Sequence, residues 1–328
     1  MPHARGVLLG LAVGDALGTT YEFAAAAQVQ ATLREQPIRM EGGGPFALRA
    51  GQVTDDTELA LALAGALLDA RGWDADVVAR AYADWAASGP FDIGNTCAKA
   101  FASATLRPEQ PGVAERMAAA ASTTSEANGA LMRVAPLGVW GWHLGAKQLA
   151  AIAVEDAQLS HPHPRCQAAS ALLAVVIAAC VRHGGGRAVA MEAVSDALEL
   201  PECALLADDV AEALGGGELP AVDGANMGWV RHALRLALRQ LSVGAELEEG
   251  LTAVIGCGGD TDTNAAITGA LLGAVYGDAG IPARWVSAVR DCDSPRPEPY
   301  HAAQIGQLAE RLAALAQGDA IPLTDPAD

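Results

Sequence analysis

Two short acidic clusters near opposite ends of the sequence constrain this chain more than any other feature. One reads Thr54-Asp55-Asp56-Thr57-Glu58, the other Gly258-Gly259-Asp260-Thr261-Asp262-Thr263-Asn264. Each leads into an Ala- and Leu-rich run with helical periodicity, so each sets carboxylates and hydroxyls at a helix start. Taken singly, either reads as an N-cap whose acids complement the helix dipole. Taken together, they form a set of hard oxygen donors that suits Mg²⁺ or Mn²⁺ rather than zinc or copper. So many carboxylates converge only with cations between them. The Asp-x-Asp spacing lacks the further ligands and terminal Glu of a calcium EF-hand loop. A shared site also requires the chain to return on itself over about two hundred residues, which predicts one domain rather than two.

The material between the clusters reads as helix. Apolar residues make up 51% of the 328 residues and aromatics only 4%, so the core must be built from Ala, Leu and Val in closely packed helices. Periodicity predicts helices over roughly 3–17, 56–70, 75–87, 112–121, 129–140, 146–158, 166–182, 187–198, 203–214, 227–240, 262–276 and 301–316. Breakers such as Gly42-Gly43-Gly44-Pro45, Gly89-Pro90 and His161-Pro162-His163-Pro164 separate them. No run alternates convincingly as a strand, and no fixed repeat is visible. The expected fold is all-α, a compact multi-helix single domain over 1–316 with a loose acidic tail at 317–328. Glycine triplets near 185 and 216 offer alternative boundaries, which a shared acidic site argues against. Gly269, Gly273 and Gly277, four residues apart, read as permitting close helix packing rather than a membrane dimer.

The formal net charge of −18 excludes a nucleic-acid-binding surface, which needs clustered Lys and Arg. The apolar run at 7–14 is interrupted by Asp15 and reads as a buried helix rather than a signal sequence. The longest uncharged stretch, 168–181, is too short to span a bilayer, so no membrane association is expected. Six cysteines without a Cys-x-x-Cys pair read as reduced core residues of a cytoplasmic protein.

Further polar residues stand out by context. Glu22 sits between Tyr21 and Phe23, two of fourteen aromatics, yet a half-exposed Glu at a helix end reads the same. Asp92 follows Gly89-Pro90 in Phe91-Asp92-Ile93-Gly94-Asn95-Thr96, where an ordinary loop acid or N-cap is also expected. Asn128-Gly129-Ala130-Leu131-Met132-Arg133 opens an apolar run and could present free backbone N–H groups to a phosphate, as could many helix starts. His161 and His163 read as solvated loop histidines, since nearby Cys or a helical His-Glu partner for zinc is missing. Neither a Gly-x-Ser-x-Gly elbow nor a Gly-x-x-x-x-Gly-Lys phosphate loop occurs.

In this order the motifs resemble the ADP-ribosylglycohydrolase family. The matching elements are Gly14-Asp15-Ala16-Leu17-Gly18 with Glu22-Phe23, Thr54-Asp55-Asp56-Thr57, Asp92-Ile93-Gly94-Asn95-Thr96, Asn128 to Arg133, His161-Pro162, and Gly258 through Gly277. They extend over about residues 5–277. The two acidic motifs are the specific part. The resemblance implies an all-α domain with two Mg²⁺ or Mn²⁺ ions, held by Thr54, Asp55 and Asp56 on one side and Asp260, Asp262 and Thr263 on the other, with Asp262 as a bridge. It implies ADP-ribose bound with ribose hydroxyls on the metals, Asn128, Gly129, Ala130 and Met132 along the diphosphate, and His161 nearby. Glu22 matches the family's mobile acid near the scissile bond, and Asp92 matches the acid of arginine-directed bacterial members.

The activity so implied is hydrolysis of the N-glycosidic bond of ADP-ribosyl-arginine on a protein, with Glu22 and Asp92 in acid–base roles. Serine-linked, free-guanidine or small-molecule ADP-ribosyl conjugates are the alternative substrates. A non-catalytic ADP-ribose-binding protein is a further reading, against which the intact Asp55, Asp56, Asp260 and Asp262 argue.

Overall fold

The helix Pro2–Gly18 and the helix Thr261–Tyr276 lie backbone to backbone. The first carries glycine at every fourth position: Gly6, Gly10, Gly14 and Gly18. A Cβ at Gly6 would stand 2.2 Å from the Gly273 carbonyl oxygen, one at Gly10 2.1 Å from that of Gly269, and one at Gly14 2.1 Å from that of Ala265. In the other direction, a Cβ at Gly269 would meet the Gly10 carbonyl oxygen at 2.0 Å, and one at Gly273 the Gly6 oxygen at 2.0 Å. Four-residue spacing keeps these positions on one helix face. The chain's first helix and its second acidic cluster are thereby fixed side by side.

The computed structural model describes residues 1–105, 110 and 112–315. The expected tail at 317–328 lies outside the described residues. Sixteen α-helices occur among the described residues, with isolated bridges at Gly43–Leu48 and Ala127–Trp229 but no β-strand. One continuous core joins buried residues from Ala4 to Ala313, built largely from Ala, Leu and Val. It crosses both glycine triplets, so neither marks a domain boundary. Gly185 instead packs against His3 and the Val275 carbonyl. A small satellite cluster joins Val222, Leu236, Val254 and Cys257.

Several helices depart from the sequence pattern. Ala26–Glu35, Asn95–Thr105, Leu247–Ile255 and Ala283–Arg290 are helices without a predicted counterpart. The predicted 129–140 helix begins only at Ala135, and residues 129–133 form turns. Pro136 at the start of that helix suits its second position but would break a helix interior. The predicted 301–316 helix opens with a short 3₁₀ turn before Ile305–Leu315. Pro164–His183 runs for 20 residues, longer than its uncharged stretch and long enough by length and composition to cross a bilayer. It is nonetheless mostly buried among the other helices. All six cysteines are unpaired, five of them buried and Cys292 half-buried.

Gly10→Ala would drive a methyl group into a backbone carbonyl that cannot move without separating the two helices. It should destabilise the fold by about 2–4 kcal/mol, lowering Tm by roughly 3–6 °C. Gly65→Ala, on a helix with open space at that position, should stabilise by about 0.5–1 kcal/mol. Thermal denaturation of the two variants, monitored by circular dichroism, checks the contrast.

Candidate active site

Asp15 lies on the Pro2–Gly18 helix and is fully buried. Its carboxylate accepts hydrogen bonds from the backbone N–H of Thr54 (3.0 and 3.1 Å) and of Thr57 (3.1 Å), and from the Thr54 and Thr57 hydroxyls (3.0 and 2.5 Å). It therefore caps the Asp55–Asp69 helix from another helix. Thr54 occupies the N-cap position but its own side chain does not cap. The acids of the first turn are released from capping. Burial pushes the Asp15 carboxyl up to about 6, against the opposing effect of the Thr57 and Thr54 hydrogen bonds.

The second cluster meets the first through Thr263, whose hydroxyl donates to Asp56 Oδ2 at 3.3 Å. The Thr54 hydroxyl reaches the same oxygen at 3.2 Å. Thr261 turns away and donates to the Gly18 carbonyl at 2.7 Å. The two segments that enter the site are tied together by Phe23 N–H to Gly259 C=O (2.8 Å) and Gly259 N–H to Ala24 C=O (3.0 Å). Gly259 has φ +74°, a conformation that favours glycine, and a Cβ there would stand 2.4 Å from the Val222 carbonyl oxygen. Asp260 accepts from Asn128 Nδ2 at 2.8 Å, which draws the 128–133 turn onto the same wall.

These segments line a cleft of about 370 Å³. Of the residues singled out by sequence, Glu22, Asp55, Asp92, Asn128, Gly129, Met132, His161, Asp260, Asp262 and Thr263 line it. Thr54, Asp56 and Ala130 do not; all three are buried behind it. The tightest acid trio is Glu22, Asp92 and Asp262, each with one carboxylate oxygen within 4.8 Å of the others. Asp92 also lies close to Asp55, which accepts the Gly94 N–H at 3.4 Å.

Crowding and burial act in one direction on these acids. Burial, then Asp92 and Asp260, push the Glu22 carboxyl up to about 8. Burial and Asp260 push Asp92 up to about 6. Asp55, Asp56 and Asp262 are raised well above the usual carboxylate range, first by burial and then by neighbouring acids. Asp56 Oδ1 and Glu22 Oε2 are buried with no hydrogen-bond partner. Buried carboxylate oxygens left unpaired are costly unless a cation or proton meets them. The donors are all oxygen, and the group fits hard divalent cations.

His161 is not a solvated loop residue; it is 1% exposed, and only His163 remains partly open. His163 accepts from Arg165 N–H at 3.3 Å and caps the Pro164–His183 helix. His161 Nδ1 lies 2.8 Å from Ser160 Oγ, which accepts from Arg133 Nη1 at 2.7 Å. Burial and the Arg133 charge push His161 down to about 3, so its ring is neutral. Its other edge sits against Gly129, where a Cβ would meet Cε1 at 2.9 Å. The 128–133 segment is a turn that leads into the Ala135–Trp140 helix, not itself the start of a helix. Arg133 anchors the turn through Asp156 (3.3 Å) and Tyr82, whose hydroxyl donates to Asp156 at 2.6 Å.

Sequence reasoning assigned no role to Asp15, although its motif was visible. It also passed over Glu58 and Arg296. Glu58 is 1% exposed and accepts from Arg296 Nε at 2.8 Å and Trp85 Nε1 at 2.7 Å. Arg296 further donates to the Ser88 and Gly89 carbonyls at 3.3 and 3.1 Å, holding the backbone that leads to Asp92. An ion pair across 238 residues has no local signature.

The ADP-ribosyl-dinitrogen reductase glycohydrolase of Rhodospirillum rubrum is 30% identical over 292 residues, covering 87% of this chain and 89% of that protein. The ADP-ribosylarginine hydrolase Tri1 of Pseudomonas putida is 29% identical over 300 residues, covering 88% and 74%. A solved structure described as an ADP-ribosylglycohydrolase-related protein complex superposes with a TM-score of 0.74 at 29% identity, covering 96% of this chain and 98% of the other. The sequence profile of the ADP-ribosylglycohydrolases matches residues 2–321. With an all-α fold and an acidic cleft between its two carboxylate clusters, the chain is a glycohydrolase and belongs to the ADP-ribosylglycohydrolase family.

Proposed function

We propose that this enzyme hydrolyses the N-glycosidic bond between ADP-ribose and an arginine side chain of a protein, releasing ADP-ribose. The observation that carries the reading is the convergence of Glu22, Asp92 and Asp262 within 4.8 Å at the cleft wall. Two divalent cations, Mg²⁺ or Mn²⁺, would be held by Thr54, Asp55, Asp56, Asp260, Asp262 and Thr263 and would fix and polarise the ribose hydroxyls. With a cation at Asp56, the Thr54 hydroxyl would donate to Asp15 Oδ1, 3.0 Å away, and turn its lone pairs toward the cluster. Relatives named for dinitrogen reductase and for ADP-ribosylarginine support an arginine linkage.

The residues divide the chemistry by their environments. A departing guanidine must gain a proton as positive charge develops at the anomeric carbon. Glu22, raised by burial and by its acidic neighbours, presents an unpartnered oxygen and is placed to give a proton to the leaving guanidine. Asp92 can pair with the guanidinium or take a proton from water. Asn128, Gly129, Ala130 and Met132 form the turn that would follow the diphosphate, with neutral His161 beside it; Ala130, buried behind the cleft, could contribute only backbone.

Release of ADP-ribose from arginine- and serine-linked peptides, with Mg²⁺, Mn²⁺ or chelator, tests the reading. Arginine-linked peptide should be cleaved, and chelator should abolish turnover. Cleavage of serine conjugates alone would overturn the linkage, and activity unaffected by chelator would overturn the cation dependence. Glu22→Ala and Asp92→Ala should each lower kcat by about 10²-fold or more. Near-normal turnover in both would remove them from the acid–base role. Asp15→Asn should weaken divalent-cation binding by about 10–100-fold, as loss of a group orienting a ligand does; calorimetry measures it.

Without cations, the raised carboxyls give a signed pH dependence. The folded state binds more protons than the unfolded chain between the ordinary carboxylate range and about 8. Stability of the cation-free protein should therefore fall as pH rises from about 5 to 8. Saturating Mg²⁺ or Mn²⁺ should raise Tm most at the upper end of that range. A cation-free Tm that climbs steadily over this interval would contradict the assignment.

A further inference from the structure

The chain has four phenylalanines, and three of them form a run of ring contacts that starts at the cleft wall. Phe23 and Phe46 stand 6.4 Å apart at 69°, and Phe46 and Phe91 stand 5.6 Å apart at 60°. Phe23 lines the cleft and is 54% exposed; Phe91 is 36% exposed. They are among the few large apolar residues that reach solvent. Each of these two directly adjoins one of the acids that converge in the cleft, Glu22 and Asp92.

Three separate loops hold the rings outward. Phe23 has φ +62°, a left-handed conformation that is unusual for an aromatic residue. It is held there by its N–H bond to Gly259 and by Ala24 N–H to Tyr21 C=O at 3.0 Å. Phe46 sits on a turn closed by Gly43–Leu48 and pressed on the first helix's end. A Cβ at Gly44 would stand 2.3 Å from the Thr19 carbonyl oxygen, and the Thr20 hydroxyl bonds Gly42 C=O at 3.3 Å. Phe91 follows the Ser88 and Gly89 carbonyls that Arg296 holds. Anchored backbone fixes where the three loops sit, and an aromatic cluster with two exposed rings and a left-handed backbone at Phe23 points to a binding surface.

We propose that Phe23, Phe46 and Phe91 form a stacking wall for the planar guanidinium of the departing arginine, and so set the enzyme's preference for that leaving group. This rests on the arginine reading above. Aromatic faces carry negative quadrupole and attract cations, and a guanidinium also stacks flat on them. The Asp92 carboxylate next to Phe91 favours a cation there and disfavours the anionic diphosphate of the same substrate, so the wall faces the leaving group rather than the nucleotide. A serine hydroxyl has neither charge nor flat face to gain from it.

The test compares leucine and tyrosine at Phe46 and Phe91, singly and together, and at Phe23. Leucine retains an apolar side chain but removes the π face; tyrosine retains both. Phe46→Leu with Phe91→Leu should raise KM for an arginine-linked peptide about tenfold with kcat little changed, the size of one cation–π contact set. Tyrosine at the same positions should restore KM. Binding of free ADP-ribose, measured by calorimetry, should stay unchanged in both. Leucine variants that match the parent enzyme, or that lose ADP-ribose affinity or serine-peptide binding equally, would overturn the wall. If the parent enzyme leaves the arginine-linked peptide intact, the reaction reading itself fails and takes the wall with it. If the parent cleaves that peptide and the variants do so equally well, the wall alone fails.

Discussion

The backbone contact between the Pro2–Gly18 and Thr261–Tyr276 helices is the constraint from which the rest follows. Glycine on both faces removes the side chains that ordinarily keep helix axes 8–10 Å apart. Such closeness leaves no slack in register. The end of one helix and the start of the other are consequently locked: Thr261 bonds Gly18, Phe23 bonds Gly259, and Gly259 bonds Ala24. Glu22 and Asp262 face one another because of this lock. Asp15, one turn before the helix end, reaches across to cap the third participant, Asp55–Asp69. Three helix ends are thus joined at one point by backbone geometry and a single carboxylate.

Burying so much charge sets apart two kinds of acid. Asp15, Asp156, Glu58 and Asp209 are buried and fully employed, by threonines, by Arg133, by Arg296, and by Arg165 and Arg231 respectively. They act as fixed struts, and breaking one partner would leave an uncompensated charge. Asp56 Oδ1 and Glu22 Oε2 are equally buried and employed by nothing in the protein. Glu202 Oε2, away from the cleft, is also buried without a partner; what distinguishes the cleft is that its unpaired oxygens stand among converging acids, where a cation or proton can meet them. The two struts nearest the cleft support opposite sides of it. Arg133 with Asp156 sits beneath the 128–133 turn and His161, and Arg296 with Glu58 sits beneath the approach to Asp92.

Legibility from sequence followed how local each signal was. The acidic clusters were readable because each is contiguous and followed by a strong helix, and their order carried the family resemblance. Long amphipathic or apolar helices were equally plain. Ala26–Glu35 and Ala283–Arg290 were not, since they are short, at 10 and 8 residues, and each buries only two residues. The 129–140 run misled because an apolar sequence continues through a turn fixed by Asn128 and Arg133, and periodicity cannot detect that. Glycine at 269, 273 and 277 was read as a packing face. The matching stripe at 6, 10, 14 and 18 was hidden within a run that also resembled a signal sequence. Burial of His161 depended on Ser160 and Arg133, far outside the Pro-rich loop's own pattern.

The aromatic wall shows why specificity is harder to read than chemistry. The residues proposed for ribose and cation contacts sit largely at helix starts, where caps and dipoles leave a recognisable composition. Phe23, Phe46 and Phe91 come from three loops; Gly44-Pro45-Phe46 and Gly89-Pro90-Phe91 share a tripeptide, but nothing in Tyr21-Glu22-Phe23 matches it, and the tripeptide itself reads only as a turn. What joins them is geometry imposed from below: the Gly259 bond under Phe23, the Gly44 approach under Phe46, and Arg296 under Phe91. Loops anchored by backbone contacts to a rigid helical frame can exchange their side chains without disturbing that frame. Such an arrangement would let one frame accept different leaving groups, because the Phe23 tie to Gly259 uses its backbone and leaves the side chain free to change.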